Sequence, residues 1–205
     1  NADHIIGGCE WVDYMYHWDT LMLAHFSIDI NKFNNKNQFK KDKSKSELNI
    51  LHAPNHKNIK GTFFLIKAVK NLKKEGFKIN LKLVEKKSNS EILNLINESD
   101  IIADQFIIGW YAMFAIEAMA SSKPVLCFLR QDLIDLFTYK ELIEKNEIPI
   151  INTNILDLEE KIKWCYQNKD KLNDIGLKGY SFVKKHHSLE SIGKVFNSIN
   201  KKIDI

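Results

Sequence analysis

From residue 48 onward the apolar positions fall into two alternating kinds of pattern. LNILHA (48–53), INLKLV (79–84), IIADQF (101–106) and PVLCF (124–128) are short runs of strand length. Between them the apolar residues spread to helical spacing. Phe63, Leu65, Ile66, Val69 and Leu72 form one stripe over 61–75, closed by Gly76. The pattern predicts further helices over 90–97, capped at Ser88 or Ser90, over 110–121 and over 133–146. It then predicts a strand at 148–151, a helix from Asn154 or Asp157 to 168, a helix over 169–187, and a last helix from a Ser188 cap to about 202. Strands alternating with helices imply βαβ units. The runs at 101–106 and 124–128 are continuous rather than alternating, which implies strands covered on both sides. The expected fold is therefore α/β, a Rossmann-like parallel sheet with helices on both faces.

Before residue 48 the pattern is different. Residues 1–8 end in a short strand and a Gly-Gly stop, and 26–33 reads as extended. The 10–23 stretch places Trp11, Tyr14, Met15, Trp18, Leu21 and Met22 at roughly helical spacing, so a helix is expected there. So much aromatic surface is expected to dock on the body that follows. Residues 34–47 are polar and lysine-rich and read as a solvated loop or linker.

One helix stands out chemically. Between the runs at 101–106 and 124–128, a turn at Gly109 leads into a helix that is apolar except for Glu117. An ionised carboxylate among apolar neighbours is costly unless something satisfies it. Two readings stay open: a glutamate paired with a lysine or a backbone amide, and a carboxylate kept for a ligand. The free N–H groups at the helix start, near Gly109, Trp110 and Tyr111, form an anion site. Glu117 lies roughly 10 Å further along, less once its lean toward the N-terminus is counted. Phosphate at the helix head and a sugar hydroxyl at Glu117 would together span a nucleoside diphosphate.

Parallel sheets gather ligands at the carboxyl ends of their strands, which points to the loops 54–60, 85–90, 105–111 and 129–132. Lys57 and Lys60 lie in the first of these and would suit a diphosphate; the other reading is two exposed lysines on a turn. His52 reads as a core histidine with a satisfied ring, His56 as a loop base or ligand, and His186 and His187 as surface residues beside a cap. The net charge of +4 is spread widely, which fits anionic ligands or an acidic membrane surface and argues against nucleic acid. The three cysteines, Cys9, Cys127 and Cys165, form no C-x-x-C pair, which argues against a disulfide framework or a zinc site and for a reducing compartment. Metal-binding H-E-x-x-H, Asp-x-Asp, G-x-G-x-x-G, P-loop and G-x-S-x-G motifs are all missing. The chain starts at Asn1, within what reads as an element and without a signal peptide, and is expected to be part of a longer protein.

HAPNHKNIKGT (52–62) and DIIADQFIIGWYAMFAIEAMASSKPV (100–125) together resemble the donor-binding C-terminal domain of GT-B fold glycosyltransferases of the retaining family 4 type. That family's pattern has a basic residue and a K-G pair after the first strand. It then has two glutamates separated by seven residues, followed by A-M-A-x-G-x-P-V. The resemblance covers 48–190. It implies that 1–35 is the remnant of an N-terminal domain and its connection, with SIDINKF where the family often has I-D-x-x-x-F. It also implies a linker at 36–47 and a C-terminal helix at 191–205. It assigns Glu117 to the ribose hydroxyls, Lys60 and Lys57 to the diphosphate, and the Gly109–Tyr111 turn to the phosphates' backbone cradle. Gly109 stands where the first glutamate is expected, and Ser122 where the turn glycine is.

The implied activity is transfer of a sugar from a UDP- or GDP-sugar, without a cofactor or metal, to a hydroxyl of a saccharide or lipid-linked saccharide. Bacterial surface polysaccharide synthesis, in the cytoplasm or at the inner face of the membrane, is the implied setting. A sugar-nucleotide 2-epimerase of the same architecture and a non-catalytic nucleotide-binding module are the alternatives; the loss at Gly109 favours the second.

Overall fold

The computed structural model describes residues 2–33 and 47–203. The predicted linker at 36–47 lies outside the described residues except for Glu47. A five-stranded, all-parallel sheet is formed by β3 (Leu48–His52), β4 (Ile79–Leu83), β5 (Ile101–Ala103), β6 (Val125–Cys127) and β7 (Ile151–Asn152), in the order β4-β3-β5-β6-β7. The helices are α1 (Lys57–Lys60), α2 (Thr62–Lys74), α3 (Asn89–Glu98), α4 (Met113–Ala120), α5 (Gln131–Tyr139), α6 (Leu158–Gln167), α7 (Lys169–His186) and α8 (Leu189–Lys202). A separate parallel pair, β1 (Ile6–Gly8) and β2 (Thr20–Met22), belongs to the N-terminal segment.

Side chains alternate across a strand, so each strand feeds two cores. Leu48, Ile50, Ile101, Ala103 and Leu126 pack with Leu65, Val69 and Leu72 of α2 and Leu158, Ile162 and Cys165 of α6. Leu51, Ile102, Val125 and Cys127 face the other way, toward Ile96 of α3, Ile116 of α4 and Phe137 of α5. The N-terminal segment joins this second core through Cys9, Val12, Leu23, Ala24 and Ile28. The doubly covered parallel sheet is the one that the apolar runs predict.

Several elements depart from the sequence pattern. The helix expected over 10–23 is a 3-10 turn, Cys9–Tyr14, followed by β2. Tertiary pairing overrides helical spacing there: Cys9 N–H donates to Leu23 O, and Asp19 and Thr20 N–H donate to Ile5 O. The expected docking is divided. Val12 and Leu23 are buried, whereas Trp11, Tyr14 and Tyr16 remain exposed. The helix expected over 133–146 ends at Tyr139, because Glu141 and Asn146 take left-handed backbone conformations. The central helix begins at Met113, not Trp110, since Ala112 is extended and Gly109 has φ +98°.

The helix ends follow their sequence signals. Ser88 and Glu91 form a complete capping box at α3, and Ser188 caps α8. α7 crosses α4 at very short range: a Cβ on Gly176 would lie 2.0 Å from the Ser122 carbonyl oxygen, and one on Gly179 3.2 Å from Met119 Cβ. Only glycine lets the two backbones meet so closely.

Candidate functional site

All five strands are parallel, so their carboxyl ends share one edge. The chain leaves β3 for β4 on one side and returns to β5 on the other. That reversal makes the ends of β3 and β5 a topological switch point, where sheets of this kind usually take a ligand.

Lys60 and Asp104 meet at this switch point. Lys60 Nζ lies 2.5 Å from Asp104 Oδ1, with side-chain exposures of 13% and 0%. Asp104 directly follows β5, and Lys60 closes the single turn of α1, which Gly61 stops in a left-handed conformation. Lys57 pairs with Glu85 at the β4 loop, 2.5 Å apart, in a largely exposed contact. Surface pairs of this kind contribute little to stability. Both lysines therefore stand at the expected edge, each with an acidic partner that an anion would have to share.

Glu117 lies one turn into α4 and is 8% exposed. No lysine reaches it among the described residues; instead Asn89 Nδ2, at the first position of α3, donates to Oε1 at 2.7 Å. The partner is a side-chain amide, neither the lysine nor the backbone amide of the first reading. Burial pushes the Glu117 carboxyl up from its ordinary value, and the Asn89 bond partly opposes that. Among the described residues no side chain caps the start of α4, which leaves its first amides free of side-chain partners there.

Trp110 and Tyr111 sit differently from the expectation. Both side chains are 1% exposed and belong to the core. The indole Nε1 donates to Leu23 O at 2.8 Å, and the Tyr111 hydroxyl lies 2.9 Å from His187 Nε2. Their backbones remain in the loop at the switch point, but their side chains fasten that loop to the N-terminal segment and to the α7–α8 junction. Gly109 lies against Arg130, whose side chain fills the space a residue at 109 would need. Arg130 in turn is paired with Asp13 and Asp132.

The histidines divide. His52 is fully buried between Ala103 O and Thr62 Oγ1, each at 2.8 Å, as its strand position predicts. His56 is exposed at the start of α1. His186 and His187 are not surface residues: His187 is buried against Tyr111, and His186 pairs with Glu147 at 2.6 Å. The aromatic contacts of Phe182 with both rings draw them inward.

Sequence reasoning missed Asp104, Asn89 and Arg130 as partners. Asp104 carries a readable signal, a charge placed directly after a short apolar strand. Asn89 lies in the loop singled out at 85–90 but has no signal of its own. The Arg130 contact depends wholly on tertiary structure.

No family sequence model matches the chain, and no curated protein does. Solved structures do. A variant of S. aureus TarM, in complex with fondaparinux, α-GlcNAc-glycerol and UDP, matches at 16% identity and a TM-score of 0.66, over 95% of this chain and 43% of that one. Sucrose-phosphate synthase from Thermosynechococcus elongatus matches at 14% identity and a TM-score of 0.67, over 99% and 59%. The C-terminal domain of LpcC, a glycosyl transferase group 1 family protein of Francisella tularensis, matches at 17% and 0.51, over 80% of this chain and 100% of that one. The chain has the fold of a GT-B glycosyltransferase C-terminal domain. It spans 43% and 59% of the length of the first two of these proteins.

Proposed function

We propose that this chain is the donor-binding domain of a glycosyltransferase and takes a nucleotide-diphosphate sugar at the switch point between β3 and β5. The observation that carries the reading is Glu117, a nearly buried carboxylate with one oxygen held by a neutral amide. A carboxylate needed only for packing would gain more from a cation. In this reading Glu117 accepts from the ribose hydroxyls, and Lys57, Lys60 and the first amides of α4 hold the diphosphate. Leaving-group charge is then stabilised in place while an acceptor hydroxyl attacks the anomeric carbon. The donor is a UDP- or GDP-sugar; the TarM structure was determined with UDP.

The acceptor is a saccharide or lipid-linked saccharide, as in bacterial surface polysaccharide assembly, met in the cytoplasm or at the inner face of the membrane. No helix among the described residues is long and apolar enough to cross a membrane. A non-catalytic nucleotide-binding module is the second reading, favoured by the Arg130 side chain standing where a residue at 109 would project.

Calorimetric titration with UDP and GDP tests the assignment. Glu117→Gln is expected to weaken nucleotide binding about tenfold or more, the loss of one charged hydrogen bond. Replacing Lys60 and Asp104 together by Met and Asn is expected to weaken it as well. Unchanged affinity in both variants would refute the site. The 205-residue chain by itself is expected to bind nucleotide without completing transfer, so measurable turnover would count against that division of labour.

A further inference from the structure

Asn89 is an exposed residue whose side chain serves a nearly buried one. It opens α3, yet α3 does not need it, since Ser88 and Glu91 already form both halves of the cap. Asparagine is also an indifferent helix former. Its Nδ2 reaches α4 and donates to Glu117 Oε1 at 2.7 Å. Glu117 Oε2 has no hydrogen-bond partner among the described residues, and it is not one of the sealed, unsatisfied atoms. The bond also bridges two loops at the strands' carboxyl edge: α3 follows β4, α4 follows β5, and β3 lies between these strands.

A carboxylate on a flexible side chain has several orientations, and fixing one before a ligand arrives removes an ordering cost from binding. A neutral donor fixes it without neutralising it, whereas a lysine would compete with the ligand for the charge. We infer that Asn89 is a positioning residue that orients the Glu117 carboxylate so that Oε2 meets a vicinal diol, which makes the site selective for ribonucleotides. This inference rests on the ribose assignment above.

Four proteins separate the two claims: the unaltered chain, Glu117→Gln, Asn89→Ala and Asn89→Gln. Each is titrated with UDP and GDP, with their 2′,3′-dideoxy forms and with inorganic pyrophosphate. The unaltered chain is expected to prefer the ribose form of its nucleotide by about tenfold or more, one charged hydrogen bond's worth at the lower end. Glu117→Gln abolishes that preference. Asn89→Ala reduces it to about threefold or less, leaves pyrophosphate affinity and the melting temperature as they were, and moves the pH dependence of ribonucleotide binding upward. Asn89→Gln, which keeps the amide donor, recovers part of the preference. If Glu117→Gln keeps the preference, or the unaltered chain has none, the ribose assignment itself falls. If Glu117→Gln abolishes it but Asn89→Ala keeps it in full, the inference about Asn89 alone falls. It falls equally if Asn89→Ala weakens pyrophosphate binding or melting to the same degree, which would mark Asn89 as part of the scaffold.

Discussion

A Cβ atom at position 109 would lie 2.4 Å from Cγ of Arg130 and 2.6 Å from its Cδ. The glycine also has φ +98°, which side-chain-bearing residues rarely adopt. A glutamate at this position, where the family resemblance expects one, would therefore have to displace the Arg130 side chain. Gly109→Ala is expected to destabilise the chain by about 2 kcal/mol or more, read as a shift in the urea midpoint. Adding Arg130→Ala should recover the steric part and leave about 1 kcal/mol of backbone cost. Full stability in Gly109→Ala would show that the Arg130 side chain moves freely.

Ser122 takes a left-handed conformation with φ +56°, and its buried hydroxyl has no hydrogen-bond partner among the described residues. Glycine would relieve both burdens. Ser122→Gly is expected to stabilise the chain by about 1 kcal/mol, raising the denaturation midpoint. A lower midpoint would mean that the hydroxyl is satisfied in solution.

His187 should make the protein sensitive to mild acid. Burial lowers its pKa from 6.5 to about 4, and the Phe26 carbonyl only partly offsets this. The network gives Nδ1–H to Phe26 O and leaves Nε2 to accept from Tyr111. The unfolded chain binds the proton first, so stability is full above pH 6.5 and is lost as pH falls toward 4, by about 3 kcal/mol in all. Denaturation curves at stepped pH measure the slope. A flat profile across that window would contradict a buried neutral imidazole.

Glu117 should act with the opposite sign. Its folded-state pKa is raised, chiefly by burial, so its contribution is full below the unfolded value of 4.5 and is lost as pH rises through the folded one. Glu117→Gln is thus expected to be more stable than the unaltered chain at neutral pH. The two should converge below pH 4.5. Equal stability at neutral pH would mean that the carboxylate has found a stronger partner than Asn89.

Lys60→Met leaves the fully buried Asp104 without its ammonium partner. Breaking a buried pair from one side costs about 3–5 kcal/mol. Lys60→Met with Asp104→Asn is expected to recover most of the loss, so a double-mutant cycle in urea should show strong coupling. Additive effects would place the two groups apart in solution.

The sheet was legible because its physics is local. Ile101, Ile102 and Ala103 form a run with no polar position, and such a run has few alternatives to a strand covered on both sides. Ser88 and Ser188 could likewise be read as caps, since capping depends on residues three apart. The start of α4 was not legible, because Trp110 and Tyr111 are good apolar helix residues whose real partners, Leu23 and His187, are far along the chain. The same holds for the 10–23 stretch, where pairing of Cys9 with Leu23 overrides spacing. Within the candidate site, Glu117 announced itself by contrast with its neighbours. Asn89 did not, since an asparagine at a helix start looks like any other.

The anchorage of Trp110 and Tyr111 sets a limit on trimming. The indole takes its acceptor from a residue 87 positions away, and the phenol meets an imidazole 76 positions away, which also touches Phe26 O. A shortened version beginning at β3 would keep every residue of the candidate site, yet strand the indole without its acceptor and bare the apolar flank beneath it. The loop between β5 and α4 would lose its shape through the removal of the piece that supplies the indole's acceptor.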